Sequence, residues 1–188
     1  MVTTLRHSTI TRCCLLVFVC LWTSDTYAYE SLKGLAFESV SFSVEAPIEY
    51  RGHLRKRAIE QFLAAGLVPR KSDSLGEGSG ISSKNPGLLL TLSLSEAEEC
   101  KNYYYYEEKL ELLELAVFQR TKREEWFPSW EAGIPNRVLV REKSLESMEA
   151  SQAILVNDFI YHYYLANPTK LRPGIRITPM PNLHPMKK

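Results

Sequence analysis

Leu88, Leu90, Leu92 and Leu94 share one parity, with Thr91, Ser93 and Ser95 on the other. Apolar residues at every second position suit a strand with one buried face. This strand covers residues 88–98, and Glu99-Cys100-Lys101-Asn102 reads as a turn. Residues 103–119 open on four consecutive tyrosines and read as a long antiparallel partner. Their apolar residues Leu110, Leu112, Leu113, Leu115 and Val117 change parity between Leu112 and Leu113, and a β-bulge explains the change. The good helix propensity of residues 107–119 supplies the competing reading. Two such strands put a sheet at the centre of the fold.

Before residue 29 the chain reads as a targeting signal. Arg6, His7 and Arg12 form a basic start, and Cys13 to Trp22 form an apolar run of ten residues. That length suits a secretory signal, whereas a membrane span needs about 20 residues. Thr26-Tyr27-Ala28 places cleavage after Ala28, with an uncleaved anchor as the alternative. Cys20 follows Val19, so the small residue of a lipidation site is missing. Cleavage removes Cys13, Cys14 and Cys20 and leaves Cys100 alone, which excludes an internal disulfide and a cysteine-based metal site. Cys100 is expected to be buried or simply tolerated. The 188-residue chain carries a formal charge of +1. Without Arg6, Arg12 and Asp25 it is neutral, which argues against long-range steering towards nucleic acid.

About 160 residues remain, which suits one domain. Residues 35–44 read as a strand, with Val40, Phe42 and Val44 facing one way. Residues 48–65 read as a helix with Leu54, Ala58, Phe62 and Ala65 on its apolar stripe, and Gly66 as its C-terminal cap. Leu67-Val68 starts a short second strand. Residues 72–87 form a loop whose Gly76, Gly78 and Gly80 lack the spacing of a phosphate-binding motif. Residues 120–125 form a charged turn. Trp126, Phe127 and Trp130 continue the sheet, although Pro128 and Pro135 should interrupt a long strand, and residues 137–141 read as a separate edge strand. Residues 147–165 form a second helix capped by Ser144 or Ser147 and ended by Asn167-Pro168. The expected fold class is α+β, an antiparallel sheet of four to five strands packed by two helices. The domain covers residues 29–167, and residues 168–188 form an extended, basic, proline-rich tail holding five of the ten prolines.

Catalytic chemistry finds little support. The mature chain has three histidines and two aspartates, and no second histidine stands three or four residues from a first. His162 and Asp158 form an i, i+4 pair without a nucleophile beside them. Glu98-Glu99, Glu107-Glu108 and Glu124-Glu125 read as solvated. No cofactor is expected. The aromatic residues Tyr103, Tyr104, Tyr105, Tyr106, Trp126 and Trp130 are the candidate recognition surface, because such side chains combine large contact area with a polar handle. Alternation sends the four tyrosines two to each side, and filling the core is the competing role. Lys170, Arg172 and Arg176 make the tail a candidate contact for an acidic partner.

The element order resembles the lipopolysaccharide-assembly lipoproteins of the bacterial envelope and related periplasmic domains. The matching features are the first strand (Val40, Phe42, Val44) and the helix ending Phe62-Leu63-Ala64-Ala65-Gly66-Leu67. The leucine-rich strand, the charged turn before Trp126 and the terminal helix complete the match, over about residues 33–166. The resemblance implies a periplasmic, non-catalytic adaptor with a protein partner in the envelope. A glycan- or lipid-binding module using the exposed aromatics is the alternative, and an enzyme with an unrecognised glutamate or His162 site is a third.

Overall fold

The computed structural model describes residues 30–70, 85–97 and 100–177. The cleavage point, the glycine-rich loop and the end of the tail lie outside these residues. The strands are β1 (Ser41–Glu45), β2 (Gly87–Ala97), β3 (Cys100–Val117) and β4 (Glu124–Val140), and the helices are α1 (Ile48–Ala64) and α2 (Ser144–Ala166). The fold is α+β, a four-stranded sheet in the order β1-β2-β3-β4 with both helices packed against it.

The sheet is mixed rather than wholly antiparallel. β1 pairs with β2 in parallel, Ser41 against Gly87 through Glu45 against Thr91, with α1 in the connection between them. β2, β3 and β4 follow as an antiparallel meander. The short strand expected at Leu67-Val68 is reduced to one bridge between Arg70 and Ser41. Cys100 belongs to β3, opposite Ala97 of β2, and not to a turn.

Residues 107–117 are strand, and the register between β3 and β4 does shift between Leu112 and Leu113. The extra residue is on β4: Leu112 faces Trp130 and Leu113 faces Pro128, which leaves Ser129 unmatched. Its hydroxyl donates to the Leu112 carbonyl at 3.3 Å. A second shift stands between Tyr106 opposite Arg137 and Glu108 opposite Ile134, again with the surplus on β4. Each shift lies beside a proline, Pro128 or Pro135. The prolines therefore bend β4 without ending it, and the edge strand expected at 137–141 is the end of this same strand. Proline is tolerated there because β4 is an edge strand.

Even-numbered β3 residues from Tyr104 to Leu112 are buried on the helix side, with Leu88, Leu90 and Leu92 of β2. α1 ends in a Schellman motif: Gly66 at φ 76° donates to Leu63, and Leu67 donates to Phe62. Neither serine caps α2, which is entered from a 3-10 turn at Arg141–Lys143; Ser144 is its buried first residue. Phe37, Phe62, Phe159 and Tyr163 join the helices through ring contacts of 5.2–6.3 Å.

Asn167 ends α2 and ties it to the start of the domain. Its Oδ1 accepts from the Gly34 amide at 2.8 Å, and its Nδ2 donates to the carbonyls of Leu32 at 2.8 Å and Tyr163 at 2.9 Å. Asn167→Ala leaves buried polar groups unpaired, and each such group costs about 1–3 kcal/mol. The expected result in urea denaturation is a loss of about 2–3 kcal/mol, with residues 30–37 exchanging their amide hydrogens faster. Unchanged exchange there would mean that the asparagine does not hold this segment.

Beyond Asn167 the chain stays on the domain. The Lys170 ammonium donates to the Leu35 carbonyl at 2.8 Å and lies 5.8 Å from the Tyr163 ring centre. Ile175 packs against Gly66, and Ile177 packs against the core. Residues 168–177 thus form a strap across the helix ends.

Candidate functional site

The strand alternation divides the aromatic candidates. Tyr104, Tyr106 and Trp130 are buried on the helix side, while Tyr103, Tyr105 and Trp126 are exposed. The Tyr106 hydroxyl lies 2.5 Å from that of Ser151. Trp130 packs its ring edge-on to Phe159 at 5.0 Å, which is a core contact. These three rings are therefore not recognition surface. Tyr103 stands opposite Val140 and Tyr105 opposite Val138, and all four are exposed at one end of the β3–β4 hairpin. On the middle of the same outer face, Lys109 holds Glu111 at 2.6 Å and Glu131 at 3.3 Å. Desolvation pulls the Lys109 ammonium down, and the hydrogen bonds and charges of the two glutamates outweigh it, so its pKa stands above the ordinary value.

The other end of the hairpin leaves the sheet. Among the described residues, β2 pairs with β3 only as far as Leu113, and residues 114–117 pair with 124–127 as a two-stranded arm. Leu115 faces Trp126 on the outer side of this arm, and Phe127 points to the inner side. Val117, Phe118, Trp126 and Phe127 are 56%, 46%, 36% and 57% exposed. Arg120, Lys122 and Arg123 occupy the turn, and Lys122 takes φ 57°, rare for a residue with a side chain. Only Trp126 was legible as a candidate here. The signal for the arm is a length mismatch: the β3 pattern outruns that of β2 by about four residues.

Glu108 corrects the expectation of a solvated pair. It is fully buried, both carboxylate oxygens lack a hydrogen-bond partner, and burial pushes its pKa up to about 8. It shares the parity of Tyr106 and Leu110, and that parity was the signal that could have found it. His162 Nδ1 stands 3.5 Å from Asp158; both side chains are largely covered, and the imidazole lies against the Trp130 ring. His53 and Arg57 both contact Glu149, joining α1 to α2 at the surface. Of the tail candidates, Lys170 is engaged as above, Arg172 runs beside Gly66, and Arg176 borders a cleft with Ile177. Cys100 is a free, exposed thiol. Among the described residues, no group of three or more His, Cys, Asp or Glu side chains could hold a metal, and no helix is long and apolar enough to cross a membrane.

No family model matches the chain, and no curated protein matches it. Among solved structures it is similar to the crystal structure of the rare lipoprotein B from Shewanella oneidensis. The match covers 70% of this chain and 97% of that one, at 13% identity and a TM-score of 0.32.

Proposed function

We propose that this is an exported, non-catalytic adaptor of a bacterial cell envelope that docks a protein partner through the arm of the β3–β4 hairpin. One observation carries the reading: the arm holds Val117, Phe118, Trp126 and Phe127 in water beyond the last pairing with β2. A lone two-stranded ribbon is marginal in water, and apolar groups gathered on one are stabilised when a partner covers them. The apolar start of the sequence and the element order support export and an envelope setting.

The test is a photo-crosslinking residue at position 127 in cells that export the protein, followed by mass spectrometry. One protein crosslinked at 127, and lost when Phe118→Ser and Trp126→Ser are introduced, is the expected result. Both changes are at exposed positions, so the thermal midpoint should move by only a few degrees. Recovery of a free monomer alone would overturn the reading.

A second reading rests on the other end of the hairpin, where Tyr103 and Tyr105 stand opposite Val140 and Val138 on the outer face. These rings suit a glycan or lipid, and Trp126 lies on the same outer face at the far end of the hairpin. Titration with envelope glycans and lipid vesicles should then shift the fluorescence of a tryptophan introduced at Val138, beside Tyr105, in a Trp126→Phe/Trp130→Phe background. Absence of any shift would remove this reading.

A further inference from the structure

α1 and α2 lie side by side, and the seam between them opens to solvent as a groove on the face away from the sheet. One part, about 510 Å³, is bounded by Arg57, Glu60 and Ala64 of α1 and by Glu146, Ala150 and Ala153 of α2. Through Gln61 and Ala64 it meets a second part, about 330 Å³, that reaches Asn157, Ile160 and the strap residues Ile175 and Ile177. The α2 positions 146, 150, 153, 157 and 160 recur every three or four residues, so they form one stripe along the helix. Alanines at 64, 150 and 153 keep the floor low, which leaves room for a chain to lie along it.

The strap already occupies one end of this seam. A Cβ placed on Gly66 would meet the Ile175 side-chain tip at 3.0 Å, so the strap lies close against the end of α1. The seam therefore accepts an extended Ile-Arg-Ile segment. The described chain stops at Ile177, on the border of the open part.

We propose that this open part is a docking groove for extended, proline-spaced segments of apolar and basic residues, and that its occupant is the chain's own segment 178–188. Length permits it: positions 146 to 160 of a helix span about 21 Å, and eleven residues of polyproline-like chain reach about 34 Å. Pattern favours it. Pro179, Pro181 and Pro185 bias the segment to extended backbone, and Met180, Leu183 and Met186 recur every three residues, the repeat of that helix. Charge is compatible as well: Lys187 and Lys188 end the segment, and Glu146 lines the far end of the groove with Glu60 and with Glu149, which is paired with Arg57. A partner segment of similar chemistry would have to displace this one. This inference is independent of the proposed role of the hairpin arm, which lies elsewhere on the sheet.

The test uses the full chain and a fluorescein-labelled peptide of residues 178–188, read by anisotropy. A tethered segment competes at an effective concentration on the order of millimolar. The peptide should therefore bind the Met180→Asp/Leu183→Asp protein at least about tenfold more tightly than the wild type. Adding Ala150→Glu, at an exposed position of α2, should abolish that binding while the circular dichroism stays unchanged. Equal binding to wild type and tail variant, no binding to either, or binding indifferent to Ala150→Glu would each overturn the proposal.

Discussion

Replacing Glu108 with leucine is expected to stabilise the protein, and increasingly so as the pH rises. The carboxyl is fully buried with neither oxygen paired, and burial raises its pKa from 4.5 to about 8. Between those two values the folded state holds a proton that the unfolded state has released. Stability is therefore undiminished below pH 4.5, falls as pH rises through 8, and levels off above it. At 1.36 kcal/mol per unit, the loss is about 3 kcal/mol at pH 7 and approaches about 5 kcal/mol above pH 8. Leucine has a similar volume and needs no partner. Glu108→Gln should remove the pH dependence yet keep an unpaired polar group, so it should gain less than leucine. Urea denaturation at pH 5, 7 and 9 separates the three proteins. A wild-type stability that is flat across this range would refute the account.

Phe159→Ala should be among the most damaging single changes. Its ring touches Phe37, Phe62, Trp130 and Tyr163, so it joins β4, both helices and the segment before β1. Truncating a buried phenylalanine costs about 3–5 kcal/mol through lost transfer energy and the cavity that remains. In a domain of this size that lowers the thermal midpoint by roughly 10–15 °C. Trp130 packs directly on the ring, so its emission should also shift to the red in the folded state. Phe159→Leu keeps most of the volume and should cost less than half as much. A loss below about 1 kcal/mol for the alanine variant would mean that the site collapses to fill the space.

What the sequence shows of this fold is whatever period and cap chemistry encode locally. The leucines of β2 and the stripe Leu54, Ala58, Phe62 place their elements because burial on one face demands that spacing. Gly66 announces the end of α1 for the same local reason. Pairing partners are not local. Nothing in residues 41–45 states that β1 lies parallel to β2, and that arrangement goes with α1 standing in the connection between them. Pro128 and Pro135 read as strand breakers because their tolerance depends on β4 being an edge, which is a property of the sheet. Glu108 was misread by its charged neighbours, Glu107 and Lys109, although its parity matched Tyr106 and Leu110. The aromatic candidates fail in the same way: composition selects tyrosine and tryptophan, but only the strand register decides which of them meet solvent.

The prolines of β4 have one more consequence. A seventeen-residue strand with an open side is a standing invitation for another unfolded chain to add itself, strand upon strand. Pro128 and Pro135 each withhold a backbone donor, and the two register shifts beside them break that side into short, bent pieces. No recruited strand can stay in step along it for more than a few residues. The open edge along β4 is thus made a poor template for aggregation.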